Sequence, residues 1–184
     1  MTTAARVRAT SYITRTGTLG PEVLVFNYPS TPVAGTHLPG GGVEPGERPD
    51  TAAIREALEE TGIQGSLHLL GVVGVQQGTY DTGASRISIY FHLASDEQRD
   101  SWAHTMIGDE TAWDTGLQVA CRFVPIEAAT ELLQASGHGQ EQFLETLTAD
   151  GAAPSSVPPT MQHNKLTTPR FLARSASIAR SPGA

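Results

Sequence analysis

Gly40-Gly41-Gly42-Val43-Glu44-Pro45-Gly46-Glu47-Arg48-Pro49-Asp50-Thr51-Ala52-Ala53-Ile54-Arg55-Glu56-Ala57-Leu58-Glu59-Glu60-Thr61-Gly62-Ile63 runs from a glycine loop into a single helix. Three consecutive glycines free the backbone to approach a neighbour closely and to expose its carbonyls and amides. Pro49 suits the first helical position and Asp50 the positive end of the helix dipole, so a helix is expected over about 49–61, with Gly62 as its left-handed terminator. At 100° per residue, Glu56, Glu59 and Glu60 fall within an arc of roughly 100°, while Ile54, Ala57 and Leu58 point the other way. Like charges three and four residues apart cost a few tenths of a kcal/mol each, a penalty that a bound divalent cation relieves. Oxygen-only ligands of this kind suit Mg²⁺ or Mn²⁺.

On either side of this stretch the chain reads as strands. Arg8–Thr14 and Glu22–Tyr28 are β-branched or aromatic runs separated by Gly17 to Pro21, a hairpin pattern. Ser66–Gln77 and Ser85–Ala94 follow as strands, the second alternating Ile87, Ile89, Phe91 and Leu93 with Arg86, Ser88, Tyr90 and His92. Residues 95–116 read as a long polar, irregular segment, which inside a domain is more often functional than filler. Leu117–Ile126 is a further strand, and Glu127–Gln134 and Gln140–Thr148 are helical.

With 184 residues the chain is expected to form one domain, over 1–150, and a tail over 151–184 that is rich in Ala, Pro, Ser and Thr and so flexible. Net charge is −7, unevenly placed. Residues 1–150 hold all 19 acidic side chains against eight arginines, a balance of −11, and the tail carries Lys165, Arg170, Arg174 and Arg180 without an acid. A body this acidic repels a nucleic-acid backbone, so a polymer partner is disfavoured and a carboxylate-rich metal site becomes the natural expectation. The lone cysteine, Cys121, excludes intrachain disulfides and a Cys-based zinc cage. The absence of any apolar run near ~18 residues, and of an apolar core after Met1, leads us to expect a soluble, cytoplasmic protein without membrane contact.

The full spacing is Gly41, five residues, Glu47, seven residues, Arg55-Glu56-Ala57, one residue, Glu59-Glu60, one residue, Gly62-Ile63. It resembles the Nudix box, the signature of the Nudix hydrolases, with all seven fixed letters in place. Chance agreement at seven positions is on the order of 10⁻⁹ per start position. The order of flanking strands and helices from Arg8 to Thr148 is also similar to that fold, which implies an α+β architecture with a mixed β-sheet sandwiched between α-helices. Two residues depart from the usual pattern. Arg48 stands where a serine-like helix cap is common, and Ala57 is smaller than the usual leucine.

The resemblance implies a Mg²⁺- or Mn²⁺-dependent pyrophosphohydrolase. Its substrate would be a small-molecule diphosphate, a nucleoside diphosphate linked to another group, such as a nucleoside triphosphate or nucleotide sugar. A non-nucleotide diphosphate (prenyl diphosphate or a coenzyme A derivative) and a non-catalytic nucleotide-binding module stay open as alternatives, as does a homodimer. By the same resemblance Glu59, Glu60 and the Gly40 carbonyl are metal ligands, Glu56 is a ligand or the base that activates water, Arg55 orients a box glutamate, and Glu47 lies beside the cluster. A further acidic ligand is expected from Asp96, Glu97, Asp100, Asp109, Glu110 or Asp114, among which the sequence does not choose. For substrate binding we expect Arg86, Glu47 and His104, with Arg6, Arg8 and Arg15 as lesser candidates and Tyr28, Tyr80, Tyr90, Trp102 and Trp113 as rings able to stack on a base.

Overall fold

A computed structural model describes residues 4–80, 82–108 and 114–149. All of these lie in the first of two units, Met1–Ala153; the tail from 151 onward is outside the described residues. In chain order the elements are β1 (Arg6–Gly17), β2 (Gly20–Asn27), a 3₁₀ turn (Pro32–Ala34), β3 (Thr36–His37), β4 (Gly40–Gly42), α1 (Pro49–Thr61), β5 (Leu67–Thr79), β6 (Ser85–Ser95), β7 (Ser101–Thr105), β8 (Gln118–Pro125), α2 (Ile126–Ser136) and α3 (Leu144–Ala149). The strands form one sheet in the order β5-β6-β1-β2-β8-β7, with β3 on β2 and β4 on β1. β1 and β6 run parallel and the other pairs antiparallel, so the sheet is mixed.

Alternation along the strands feeds two cores. Tyr12, Val23, Val25 and Tyr90 point to one face and are covered by Ile126, Ala129 and Leu133 of α2 and by Leu144 and Leu147 of α3. Ile13, Leu24, Phe26 and Leu93 point to the other, where Ala57 of α1 and Ile63 meet them, joined by Cys121 of β8, a buried thiol. A sheet buried on both sides by helices is the expected sandwich. The face that β6 turns away from Phe91 and Leu93 is itself a second core, and Tyr90 on it is 2% exposed.

The 49–61 helix forms as the sequence predicts, and Gly62 closes it at φ 57°, ψ 32°, donating its N–H to the Leu58 carbonyl at 3.0 Å. Two other expectations change. The segment 95–116 contains β7, whose Trp102 packs against the α1-side core while Ser101, Ala103 and Thr105 are exposed; five residues of mostly polar composition gave too short an alternation to stand out. The last helix begins at Leu144 rather than near Gln140, because Gln140 is committed elsewhere. Its carbonyl accepts from Tyr12 Oη at 2.6 Å and its Oε1 from Leu38 N–H at 3.0 Å.

At the start of α1, Arg48 makes no side-chain cap and instead pairs with Asp50 on the surface. A surface pair of this kind contributes little, whereas a Ser cap satisfies an orphan N–H. Arg48→Ser is therefore expected to stabilise the protein by about 0.5–1 kcal/mol, a rise of a few degrees in melting temperature, readable by calorimetry.

Candidate active site

Helix α1 and strand β4 come together because β4 has no side chains. A Cβ on Gly41 would run into the Glu56 carboxyl group, and one on Gly40 would run into the Ala9 carbonyl and lie 2.7 Å from Thr10 Cα. At this approach the Gly40 N–H donates to Glu60 Oε2 at 2.7 Å. Glu60 is 7% exposed, and burial pushes its carboxyl up to about 8 against the opposing pull of the Gly40 N–H and Arg8. Burial also raises Glu56, only partly offset by Arg55.

Arg55 organises the outer part of the cluster. Its Nε and Nη2 bind both oxygens of Glu47 at 2.9 and 3.0 Å, its Nη1 donates to Glu56 Oε1 and Glu59 Oε2 at 2.9 Å each, and Nη2 also reaches the Gly42 carbonyl. The hydrogen bonds from Arg55 hold the Glu47 carboxyl below its ordinary range, and its bonds to the accepting carboxylates of Glu47, Glu56 and Glu59 raise Arg55 further. Only a planar, five-donor guanidinium spans this set.

The cluster lines a cleft of about 540 Å³ with Gly40–Gly42 on one side and Tyr28, Met106 and Asp114 on others. The cleft also contains Arg8, whose Nη2 donates to the Gly40 carbonyl. Among the described residues no three His, Cys, Asp or Glu side chains converge on one point. The donor set nonetheless fits a hard divalent cation. It is made of carboxylates and a backbone carbonyl only, and one carboxylate sits in a low dielectric where a cation offsets its burial.

Glu56, Glu59, Glu60, Gly40 and Arg55 thus line one cleft, as the sequence reading expects. Three residues expected to bind substrate are placed differently. Glu47 faces Arg55 rather than the cleft. His104 lies on β7 against Gly62, with Nε2 donating to the Glu59 carbonyl at 3.0 Å, so it braces the end of α1 from outside the cleft lining. Arg86 lines a second cavity instead of this one.

The loop acids also separate. Asp96 accepts from Ser66 N–H, and Asp100 pairs with Arg15. Glu97, 5% exposed, accepts from the Gln64 and Gly65 N–H groups and from Arg99. Asp114 alone of the described four lines the cleft; Asp109, Glu110 and Trp113 lie outside the described residues. The Arg99 guanidinium holds the Glu97 carboxyl well below the usual carboxylate range. A depressed pKa contributes stability that is present above the unfolded value near 4.5 and lost as pH falls through the folded one. Glu97→Gln is expected to destabilise by about 2 kcal/mol at pH 7 and to shrink the loss of stability below pH ~4.5, checked by urea unfolding at several pH values.

Sequence reasoning underweighted Arg8 and missed His37 and His138. Arg8 shares the side of β1 that carries Thr10 and Tyr12, a parity visible in the sequence once the register is known. The histidines come together only in space, stacked with ring centroids 4.7 Å apart and each donating from Nε2 to the Ala34 carbonyl.

The NUDIX domain pattern matches residues 5–147. The chain belongs to the Nudix family. Among curated proteins it is 34% identical over 117 residues to diphosphoinositol polyphosphate phosphohydrolase 3-alpha of Mus musculus, covering 62% of each chain. It is 32% identical over 135 residues to diphosphoinositol polyphosphate phosphohydrolase 2 of the same organism, covering 70% of this chain and 66% of the relative. The chain thus spans somewhat under two thirds of the length of the first of these Nudix relatives. Among solved structures, a C. elegans Ap4A hydrolase binary complex superposes with a TM-score of 0.55 at 20% identity, over 79% of this chain and 97% of that one. A NUDIX hydrolase from Nitrosomonas europaea gives 0.57 at 22%, over 80% and 90%. At these identities the solved structures establish the Nudix fold.

Proposed function

We propose that this Nudix protein is a divalent-cation-dependent hydrolase of a diphosphate linkage in a small molecule. The observation that carries the reading is the buried Glu60 beside Gly40, in one cleft with Glu56 and Glu59. Nudix enzymes generally use divalent metal ions, and Mg²⁺ or Mn²⁺ suits this oxygen-only set. Glu56, Glu59, Glu60 and the Gly40 carbonyl would hold the ion, with Asp114 as the loop acid. A bound cation neutralises the charge that builds on the leaving phosphate and lowers the cost of deprotonating water. Glu56, whose carboxyl burial raises, would either join the ion's ligands or take the proton of the attacking water. Arg55 keeps Glu56 and Glu59 oriented, itself fixed by the bidentate Glu47.

Two substrate readings have specific support. The class of nucleoside diphosphate derivatives has its counterpart in the C. elegans structure, an Ap4A hydrolase by name. The mouse relatives are named for a phosphorylated inositol, a non-nucleotide diphosphate. Both place the scissile bond in a molecule with several phosphates. No described helix is long and apolar enough to cross a membrane. A product-release screen with Mg²⁺ and Mn²⁺ over nucleoside triphosphates, nucleotide sugars, dinucleoside polyphosphates, diphosphoinositol polyphosphates, coenzyme A and prenyl diphosphates tests the reading. Turnover of at least one diphosphate is expected, and none across the panel overturns it.

A further inference from the structure

Strand β5 ends the sheet on one side, and among the described residues it pairs with β6 alone. Leu67–Thr79 contains no Asp, Glu, Lys, Arg or Pro, the charged residues and proline that commonly blunt a sheet edge. Leu69, Val72 and Val75 stand opposite Leu93, Phe91 and Ile89 of β6. Residues opposed across a ladder share a face, and those three β6 side chains pack into the cores on the α1 side. The β5 row therefore lies on the α1 face of the sheet, yet beside the helix rather than beneath it. Leu69, Val72 and Val75 are 42%, 57% and 57% exposed, and Leu58 of α1 is 43% exposed. The ladder shifts register between Leu69 and Gly71, and the residue left over there, Leu70, adds a fifth apolar side chain at 59%. Between α1 and β5 runs a groove of about 450 Å³ whose lining includes Ile54, Leu58 and Leu69.

Size, charge and edge geometry together indicate what covers this surface. At these exposures the five side chains present roughly 450 Å² per copy, which matches the apolar share, about 56–65%, of the ~800 Å² that a standard interface takes from each partner. The body carries a balance of −11 over residues 1–150, so two copies repel wherever their acids face each other and approach most easily along an uncharged strip. A second register shift, between Val72 and Gly74, interrupts the free edge again. An extended peptide cannot add to such an edge as one continuous strand. Packing face to face remains, and a row of three apolar residues turned about a two-fold axis through its middle member is its own complement.

We propose that this face is the interface of a homodimer, in which the Leu69–Val72–Val75 rows of two copies of the chain pack antiparallel about a two-fold axis near Val72. Leu69 of each copy then meets Val75 of the other, Val72 meets Val72, and Leu58 and Leu70 close the sides. Arg55 and Glu59 line both the groove and the carboxylate cleft, so each copy covers the outer flank of the other's Arg55–Glu59 ion pair. Pairing needs neither cation nor substrate and stands apart from the hydrolase reading.

Sedimentation velocity in excess chelator, over roughly 1–200 μM chain, tests the interface. Wild type is expected to reach the mass of two chains within that range. Val72→Glu and Leu70→Glu put a charge into the apolar seam of both copies and are expected to raise the dissociation constant at least about tenfold. Both positions are more than half exposed, so the variants should fold, which urea unfolding verifies. Leu19→Glu, at a 97% exposed leucine in the turn between β1 and β2, is expected to leave the dimer intact. An equal mixture of Val72→Glu and Val72→Lys is expected to recover the two-chain mass, because unlike charges then meet near the axis. A wild-type chain that keeps the mass of one chain throughout, or folded Val72→Glu and Leu70→Glu that associate as tightly as wild type, overturns the proposal.

Discussion

Glu60→Gln is expected to lower turnover of the best diphosphate substrate by at least about 100-fold while the protein stays folded. The amide is isosteric and its oxygen can still accept from the Gly40 N–H, so the contact between α1 and β4 survives. What disappears is a full negative charge at the point where a cation is needed. The same substitution has a readout in stability. Burial raises the Glu60 carboxyl from 4.5 to about 8, so folding takes up a proton between those values. The associated stability is present below pH ~4.5 and lost as pH rises toward 8. Without added metal, Glu60→Gln should therefore gain on wild type as pH rises from 5 to 8. A variant that turns over at the wild-type rate would remove Glu60 from the site.

Arg55→Lys is expected to cut turnover by roughly 10–100-fold, the range for groups that orient ligands rather than supply them. Lysine keeps the charge but cannot bind both oxygens of Glu47 and still reach Glu56, Glu59 and the Gly42 carbonyl, as Arg55 does. Arg55→Met goes further. It leaves three carboxylates, 12–26% exposed, facing one another without a cation, at a cost of about 2 kcal/mol in chelator. Steady-state kinetics and urea unfolding of both variants separate the two effects. Full activity in Arg55→Lys would show that charge alone suffices.

The helix, its glycine stop and the shared glutamate face were legible because each is set by residues within one or two turns of the others. The spacing from Gly41 to Ile63 added the family, and with it the sandwich around a mixed sheet. Residues joined by strand register were not legible. Arg86 was expected at the site from alternation in β6; alternation gives a face and not what lies over it, and over this one lie α2, α3 and a second cavity that shares Arg8, His37 and His138 with the cleft. His104 stands near Glu59 in space, yet it holds the helix backbone, a role that depends on how β7 pairs with β8. Glu97 looked like the other loop acids until Gln64, Gly65 and Arg99 claimed it. Arg8 enters the cleft because β4 pairs with β1, placing Gly42 opposite it, and its guanidinium reaches the Gly40 carbonyl.

Titration of Mn²⁺ into the protein, with the free ion followed by electron paramagnetic resonance, reads the α1 carboxylates without needing a substrate. Wild type is expected to deplete the free-ion signal at stoichiometric protein and Glu60→Gln to do so much less, both chains being folded. Equal depletion by the two chains, or none by wild type, would contradict the cation site.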